Sequence, residues 1–145
     1  MISYFDSSSI VKWFFDEPYA EISRSLKDET DMAFTSLISY PEVFSAFRRA
    51  WKEKRCSKYD IEIVQGEFLR IWHDFRWIKP NEILISNTRE LIFRHELKGY
   101  DAVHLASSLI LKDQSNGIEI FFSCFDKTLN KAAKKEGLII HEISM

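Results

Sequence analysis

The chain has 145 residues, of which 46% are hydrophobic and 14% aromatic, and its formal net charge is −2. This length is typical of one domain, and the apolar content excludes a disordered or fibrous protein. No run approaches the roughly 18 consecutive apolar residues of a membrane span, and the N-terminus lacks the basic and apolar regions of a secretory signal.

The first half of the chain predicts short strands alternating with helices. Residues 1–5 form an apolar run that indicates a buried strand, and residues 7–15 then predict a short helix. A second helix is expected around residues 21–26, and residues 32–35 predict the second strand. Residues 39–55 and 58–75 carry aromatic and aliphatic side chains at helical spacing, which predicts a helical hairpin.

The second half continues the alternation. Residues 77–79 predict a short third strand, residues 88–97 a helix that stops at Gly99, and residues 101–112 another helix. Residues 118–124 indicate a strand buried on both faces, residues 127–136 a helix ended by Gly137, and residues 138–143 a last strand. The pattern predicts one α/β domain over residues 1–145, with three α/β/α layers and a mainly parallel central sheet of four to five strands.

Four acidic residues stand where a predicted strand ends or a predicted helix begins: Asp6, Glu42, Asp101 and Asp126. In open α/β sheets, ligands bind outside the carboxyl ends of the strands, where helix N-termini also meet. Four carboxylates gathered there repel one another unless a divalent cation neutralises them. We therefore expect a metal site that serves phosphate chemistry.

Each acid also has an ordinary interpretation as a helix cap. Asp6, Asp101 and Asp126 are all residues of the type that caps a helix N-terminus. The segment Ser39-Tyr40-Pro41-Glu42 matches a capping box, with proline tolerated in the first turn. Taken one at a time, the four acids leave both interpretations open.

Two observations favour the site. Asp101 shares a helical stripe with Leu105 and Leu109, so its carboxylate lies on a core-facing side where a charge needs partners or a cation. Glu42 is followed one turn later by Ser45-Ala46, whose small side chains leave room for a ligand.

Positive charge is concentrated in two places. One cluster contains Arg48, Arg49, Lys52, Lys54, Arg55 and Lys58, and the other contains Lys127, Lys131, Lys134 and Lys135. The net charge argues against nucleic-acid binding by bulk electrostatics alone, and solvated helix faces remain an adequate explanation of either cluster.

Four segments share the order and spacing of one known family. They are Tyr4-Phe5-Asp6-Ser7-Ser8-Ser9-Ile10-Val11-Lys12 with Asp16-Glu17-Pro18, Thr35-Ser36-Leu37 with Glu42-Val43, Gly99-Tyr100-Asp101-Ala102-Val103-His104-Leu105-Ala106, and Phe125-Asp126-Lys127-Thr128-Leu129 with Ala132-Ala133 and Gly137-Leu138. Together they resemble the four acidic motifs of PIN-domain ribonucleases over essentially the whole chain. The compact size resembles the VapC toxins of toxin–antitoxin pairs in particular.

The resemblance implies a function. Asp6, Glu42, Asp101 and Asp126 are expected to bind one or two Mg²⁺ or Mn²⁺ ions and to catalyse the hydrolysis of RNA, such as tRNA or rRNA. A cognate antitoxin and a second copy of the chain are the expected protein partners. Cys56 and Cys124 show neither metal-type spacing nor a disulfide framework, which agrees with a cytoplasmic setting.

Several other residues are candidates for the same site. Ser8 is expected to donate its hydroxyl to metal-bound water or phosphate, with a helix-start serine as the alternative. Lys12 is a candidate to reach a phosphate, although a surface lysine is the favoured interpretation. His104 is expected to be a packed histidine, since hard cations have no need of imidazole. The resembling family usually has Ser or Thr where this chain has Cys124, so Ser123 is a possible substitute.

Three other functions fit the sequence less well. A non-catalytic PIN-like domain that binds RNA or protein is the main alternative, and the presence of all four acids argues against it. A phosphatase of the haloacid type needs a second acid two residues after the first, where this chain has Ser8. A receiver domain needs adjacent acids beside Asp6, which the chain lacks.

Overall fold

A computed structural model of the protein describes residues 1–142. In this part of the chain four strands form one sheet: β1 (Ile2–Phe5), β2 (Met32–Ser36), β3 (Arg76–Ile78) and β4 (Ile120–Ser123). Their order is β3-β2-β1-β4, and every neighbouring pair is parallel. The expectation of a mainly parallel sheet of four to five strands is confirmed.

Seven helices connect or follow these strands within the described residues. They are α1 (Ser7–Val11), α2 (Ala20–Glu29), α3 (Ser39–Lys52), α4 (Lys58–Trp72), α5 (Glu82–His95), α6 (Gly99–Asp113) and α7 (Lys127–Lys135). Across residues 1–142, none of the helices combines the length and the apolar composition that a membrane crossing requires.

The sheet separates two hydrophobic cores, which gives the predicted three layers. Successive side chains of a strand point to opposite faces, so Tyr4 and Phe5 of β1 enter different cores. Tyr4 packs with residues of α5, α6 and α7, including Leu105, whereas Phe5 packs with residues of α1, α3 and α4, including Phe68. All four side chains are fully buried.

The predicted aromatic hairpin is formed by α3 and α4. Phe44 and Phe47 of α3 meet Phe68 of α4 edge to face, with ring centroids 5.3 Å and 6.1 Å apart. Such arrangements suit the ring quadrupoles and stabilise the pair beyond simple burial. Helix α4 ends at Trp72 rather than at residue 75, and Phe75 enters the same core from the following turn.

The first helix is shorter than predicted. It ends at Val11, whereas the pattern had indicated residue 15. Beyond it the amides of Trp13 and Phe14 donate to carbonyls three residues back, those of Ile10 and Val11, so the chain tightens into turns. The apolar run that continued the helical pattern is explained by side chains packed on the α3–α4 core.

The fifth helix and its boundary with the sixth also differ from the prediction. Helix α5 begins at Glu82 rather than at residue 88, because Asn81 caps it by accepting a hydrogen bond of 3.0 Å from the Leu84 amide. It ends at His95, and the capping residue Glu96 that follows adopts a left-handed φ of 55°. Gly99, predicted as the stop, is instead the first residue of α6.

The predicted last strand is reduced to a single bridge. Ile139 pairs in parallel with Phe121, and its amide donates to the carbonyl of Ile120 at 3.0 Å. Residues 138–142 contain no further ladder, and residue 143 of the predicted strand lies outside the described residues. Strand β4 is correspondingly one of the two edges of the regular sheet.

The strand order places a switch point beside β1. The chain runs from β1 outward through β2 and β3, and β4 then returns to the other side of β1. The amide of Asp6 donates to the carbonyl of Ser123 at 3.1 Å, so the carboxyl ends of β1 and β4 lie side by side. In doubly wound sheets the crevice at such a switch point is where ligands bind.

Candidate functional site

The four acids all lie toward the carboxyl edge of the sheet. Asp6 directly follows β1, Asp126 follows β4, and Glu42 and Asp101 lie in the first turns of α3 and α6. A cleft with a volume of about 600 Å³ opens here, and Glu42 and Asp126 line it. Asp6 is only 4% exposed, whereas Asp101 is half-buried.

Asp6 is a helix cap and a buried charge at once. Its Oδ1 accepts hydrogen bonds from the Ser9 amide at 2.9 Å and from the Ser8 hydroxyl at 2.8 Å. Burial raises the pKa of Asp6 to about 6, while His104 and these two hydrogen bonds oppose the rise and the charge of Asp101 adds to it. The carboxylate is therefore costly to keep ionised without a cation.

The other acids are coupled to Asp6 through their charges. Burial raises the pKa of Asp101, and the neighbouring charge of Asp126 and, to a smaller extent, that of Glu42 raise it further. Because Asp101 also acts on Asp6, all four carboxylates belong to one electrostatic group. The fold thus brings together residues as far apart in the sequence as Asp6 and Asp126, which are separated by 120 positions.

Glu42 is not a member of a capping box. Helix α3 starts after Ile38, so Ser39 lies inside the first turn, and no side chain caps the helix. The hydroxyl of Ser39 instead bonds that of Thr35 at 2.7 Å. This leaves the Glu42 side chain free to turn toward α6, where its Oε1 lies 2.7 Å from His104 Nε2.

His104 connects this acid to the core. Its Nδ1 lies 2.7 Å from the hydroxyl of Tyr4, and burial holds the pKa of Tyr4 well above its ordinary value. In the neutral tautomer with its hydrogen on Nε2, His104 donates to Glu42 and accepts the hydroxyl hydrogen of Tyr4 at Nδ1. His104 is packed, as expected, but it also orients a site acid, which the sequence interpretation had missed. Its position three residues after Asp101 was the available signal.

Asp126 caps α7 and is supported by Cys124. Its Oδ2 accepts a hydrogen bond of 2.8 Å from the Leu129 amide, and the thiol of Cys124 donates weakly to its backbone carbonyl at 3.7 Å. Burial raises the pKa of Cys124, so the sulfur stays a neutral thiol. Ser123 does not take over this position, because its hydroxyl bonds Ser9 and His141 at 2.6 Å and 2.8 Å.

The donor set suits a hard divalent cation in chemical type. Carboxylate oxygens are the ligands that Mg²⁺ and Mn²⁺ prefer, and one oxygen each of Asp6, Glu42 and Asp126 takes no hydrogen bond within the described residues. Asp101 makes neither a hydrogen bond nor an ion pair to residues 1–142. In their present conformations no three acidic, histidine or cysteine side chains of this region form a cluster able to hold a metal. The residues fit such an ion in charge and in the chemistry of their oxygen atoms.

The comparison with known families decides the classification. A family model described as the PIN domain matches residues 3–135, which is most of the chain and includes all four acids. The chain belongs to the PIN domain family. The family suggested by the sequence motifs is therefore confirmed, and so is the α/β fold.

Two relatives of this PIN domain protein come from Mycobacterium tuberculosis. Ribonuclease VapC45 of strain CDC 1551 / Oshkosh and ribonuclease VapC49 of strain ATCC 25618 / H37Rv are each 28% identical over 134 residues. In both cases the match covers 92% of this chain and 90% of the relative.

Solved structures show the same fold at low sequence identity. VapC20 of Mycobacterium tuberculosis, described as a sarcin-ricin loop cleaving toxin, superposes with a TM-score of 0.66 at 17% identity over 94% of this chain and 96% of that chain. PAE2754 from Pyrobaculum aerophilum gives 0.63 at 16% identity, covering 97% and 89%. A toxin–antitoxin complex from Klebsiella pneumoniae gives 0.60 at 17%, covering 86% of each chain.

The two remaining candidates of this PIN domain also line the cleft. Ser8 donates to Asp6, so its position is more than that of a helix-start serine. Lys12 is not a surface lysine, because only 14% of its side chain is exposed and its Nζ lies 3.2 Å from Glu17 Oε1. Ser45 and Ala46, the small residues that follow Glu42, line the same cleft.

Proposed function

We propose that this PIN domain protein is a metal-dependent endoribonuclease that hydrolyses RNA phosphodiester bonds, and that it is the toxin of a type II toxin–antitoxin pair. Two curated relatives that match over nine-tenths of the chain are named ribonucleases. Two solved proteins of the same fold are a toxin described as cleaving the sarcin-ricin loop and a toxin–antitoxin complex.

The observation that carries the proposal is the electrostatic coupling of the four acids. Structural carboxylates in a fold normally pair with arginine, lysine or a helix N-terminus, and they avoid one another. Here the charges of Asp126 and Glu42 raise the pKa of Asp101, and the charge of Asp101 raises the pKa of Asp6. Asp101 forms no ion pair of its own within residues 1–142. Such an arrangement is useful when a cation is to be bound.

Asp6, Glu42, Asp101 and Asp126 would hold Mg²⁺ or Mn²⁺. Divalent cations of this kind activate water and offset the negative charge that develops on a phosphodiester during hydrolysis. Asp6, locked by its two hydrogen bonds, provides the rigid end of the set, and Asp126 is fixed in the same way by the Leu129 amide. Glu42 is oriented by His104, while Asp101 is the member that remains free to adjust.

The protein's partners follow from the same assignment. RNA, of which tRNA and rRNA are candidates, is the substrate, and a cognate antitoxin is the partner that would hold the toxin inactive. A homodimer is the proposed assembly. Large apolar side chains on the surface, among them Phe93 at 83% exposure and Ile83 at 72%, supply area for such contacts.

A cleavage assay on total RNA tests the function. With Mn²⁺ or Mg²⁺ the unmodified protein should cut RNA, and EDTA should stop it. Asp101→Asn removes one carboxylate charge without changing the side chain's shape, so we expect at least about a 100-fold loss of rate. Asp113→Asn, an exposed change at the other end of the same helix, is the matched control and should cleave at the unmodified rate.

Folding of both variants is checked by thermal unfolding. Equal cleavage by Asp101→Asn and the unmodified protein, or cleavage that survives EDTA, would exclude this assignment. RNA binding without cleavage by the unmodified protein would favour the non-catalytic alternative instead.

A further inference from the structure

Three basic side chains, called the basic wall below, also line the cleft beside the acids. Besides Glu42 and Asp126, the cleft is lined by Lys12, Arg49 and Arg55. These three cations come from the end of α1, from α3 and from the turn after α3. Two of them belong to the basic cluster noted in the sequence, for which solvated helix faces had been a sufficient explanation.

Lys12 is held in the wall rather than left in solvent. Its Nζ contacts Glu17 at 3.2 Å and lies 5.2 Å from the centre of the Phe125 ring. Phe125 directly precedes Asp126, so the ammonium group is anchored next to the acidic side of the cleft. Contacts with the carboxylate and with the ring face offset the cost of removing the ammonium group from water.

Glu17 is the anion shared by two of these cations. Its Oε1 contacts Lys12, and its Oε2 lies 3.7 Å from Arg55 Nη1. Arg55 also contacts Glu53 at 3.3 Å and lies over the Phe15 ring at 5.8 Å. A carboxylate between a lysine and an arginine has the negative charge and the acceptor oxygens of a phosphate group.

Arg49 faces the cleft without a carboxylate partner among residues 1–142. Its Nη1 donates to the hydroxyl of Ser45 at 3.2 Å, one turn earlier on α3. Ser45 also lines the cleft, as does Glu42 two turns before Arg49 on the same helix. Helix α3 thus presents an acid, a hydroxyl and a guanidinium along one side of the opening.

We infer that Lys12, Arg49 and Arg55 bind phosphate groups of the RNA backbone next to the bond that is cut, and that Glu17 occupies the place of one phosphate until RNA arrives. The inference rests on the proposed function and adds a substrate-binding surface to it. Arginine and lysine pair with phosphate through charge-assisted hydrogen bonds. The basic wall would let an acidic protein hold an anionic chain at this one place.

The test measures the affinity for RNA rather than the rate of cleavage. Fluorescence anisotropy with a labelled 12-nucleotide oligouridylate is recorded at several salt concentrations in Mg²⁺, with Asp101→Asn as the background that prevents cutting. Lys12→Met, Arg49→Gln and Arg55→Gln should each raise the Kd about three- to tenfold. Each should also lower the slope of log Kd against log salt by about 0.7, the value for one phosphate contact on a single strand.

Arg48→Gln is the matched control for the wall. Arg48 neighbours Arg49 on the same helix and carries the same charge, but it stacks on Trp51 at 4.8 Å outside the cleft. It should change neither the Kd nor the salt slope. Equal effects of Arg48→Gln and Arg49→Gln would show that net charge alone matters and would overturn the inference.

Glu17→Gln tests the competition directly. Removal of its charge frees Lys12 and leaves Arg55 with Glu53 as its carboxylate partner among the described residues, so RNA should bind at least about threefold more tightly. Glu21→Gln makes the same charge change on α2 outside the cleft and should have a smaller effect. Weaker RNA binding by Glu17→Gln, or an equal increase in RNA affinity in the two variants, would show that Glu17 does not compete with an RNA phosphate for these cations.

The outcomes separate this inference from the proposed function. Cleavage by the unmodified protein together with unchanged Kd values in all three cation variants would overturn the basic wall alone. If the unmodified protein neither binds nor cleaves RNA, the proposed function itself is wrong.

Discussion

At the scale of single residues, the Asp6 carboxylate has opposite effects on stability: its hydrogen bonds stabilise the fold, whereas its buried charge destabilises it. Its Oδ1 caps α1 and accepts the Ser8 hydroxyl, and both contacts stabilise the fold. Its ionised form is penalised by burial, which moves the pKa from 3.8 to about 6. Asp6 therefore places a negative charge at a position where a neutral side chain would make the folded state more stable.

This conflict predicts that Asp6→Asn stabilises the metal-free protein. The pKa of Asp6 is higher in the folded state than in the unfolded state, so the folded state loses stability as pH rises from about 4 to about 6 and stays lower above that. The difference between 3.8 and 6 corresponds to about 3 kcal/mol. Asparagine keeps the oxygen that accepts both hydrogen bonds and avoids the penalty.

Urea unfolding in EDTA measures the effect. At pH 8 the free energy of unfolding of Asp6→Asn should exceed that of the unmodified protein by up to about 3 kcal/mol, and the gap should close near pH 4. Addition of Mg²⁺ should raise the stability of the unmodified protein more than that of the variant. An Asn variant that is less stable at pH 8, or a gap that does not depend on pH, would contradict this account of Asp6.

At the scale of elements, one chain of hydrogen bonds joins three parts of the fold. Tyr4 of β1, His104 of α6 and Glu42 of α3 are linked by contacts of 2.7 Å each. Tyr4 is held by stacking on Phe122 of β4, with centroids 5.5 Å apart and planes 6° from parallel. The orientation of Glu42 is thus set by the sheet, through a buried histidine.

Tyr4→Phe should weaken metal binding without contacting the metal. The substitution keeps the ring and its stacking but leaves His104 Nδ1 without its donor, so Glu42 loses its fixed partner. Partners that orient a metal ligand are typically worth 10–100-fold in affinity. We expect calorimetry with Mn²⁺ to give a Kd about tenfold higher than that of the unmodified protein.

The control for this change is Tyr59→Phe. Tyr59 is the second residue of α4 and is 71% exposed, so loss of its hydroxyl should leave the Mn²⁺ affinity unchanged. The same Kd in Tyr4→Phe and in the unmodified protein would show that His104 does not need Tyr4 to hold Glu42.

Local sequence signals predicted those elements whose determinants lie close together in the chain. The helical hairpin was visible because Phe44, Phe47 and Phe68 follow helical spacing, and Gly137 marked the end of α7 with a φ of 92°. The start of α5 was missed, because the six residues after its cap Asn81 mix apolar and polar types. Short apolar runs also overstated the last strand, where only Ile139 pairs among residues 138–142.

Contacts between distant residues could not be predicted in the same way. The four acids were found because each follows a strand or starts a helix, and the sheet then places those points on one edge. The contact of His104 with Glu42 spans 62 residues and depends on where the sheet places α3 and α6, which lie on its opposite faces. Likewise, nothing in the local pattern indicates that Glu17 lies between Lys12 and Arg55.

At the scale of the whole molecule, the strand order is what makes a site out of scattered acids. Strand β1 lies between β2 and β4, so Asp6 and Asp126 end adjacent parallel strands. Helices α3 and α6, on opposite faces of the sheet, each bring one acid to the same edge. The cleft that results is lined by acidic and basic side chains together.

The central claim, that these four carboxylates jointly bind a divalent cation, is tested most directly by iron-directed cleavage of the protein's own backbone. Fe²⁺ replaces Mg²⁺, and ascorbate with hydrogen peroxide then produces hydroxyl radicals that cut the chain near the ion. We expect cuts close to Asp6, Glu42, Asp101 and Asp126, which are suppressed by excess Mg²⁺ and absent in Asp101→Asn. Cuts that avoid these positions, or that persist unchanged in excess Mg²⁺, would contradict the claim.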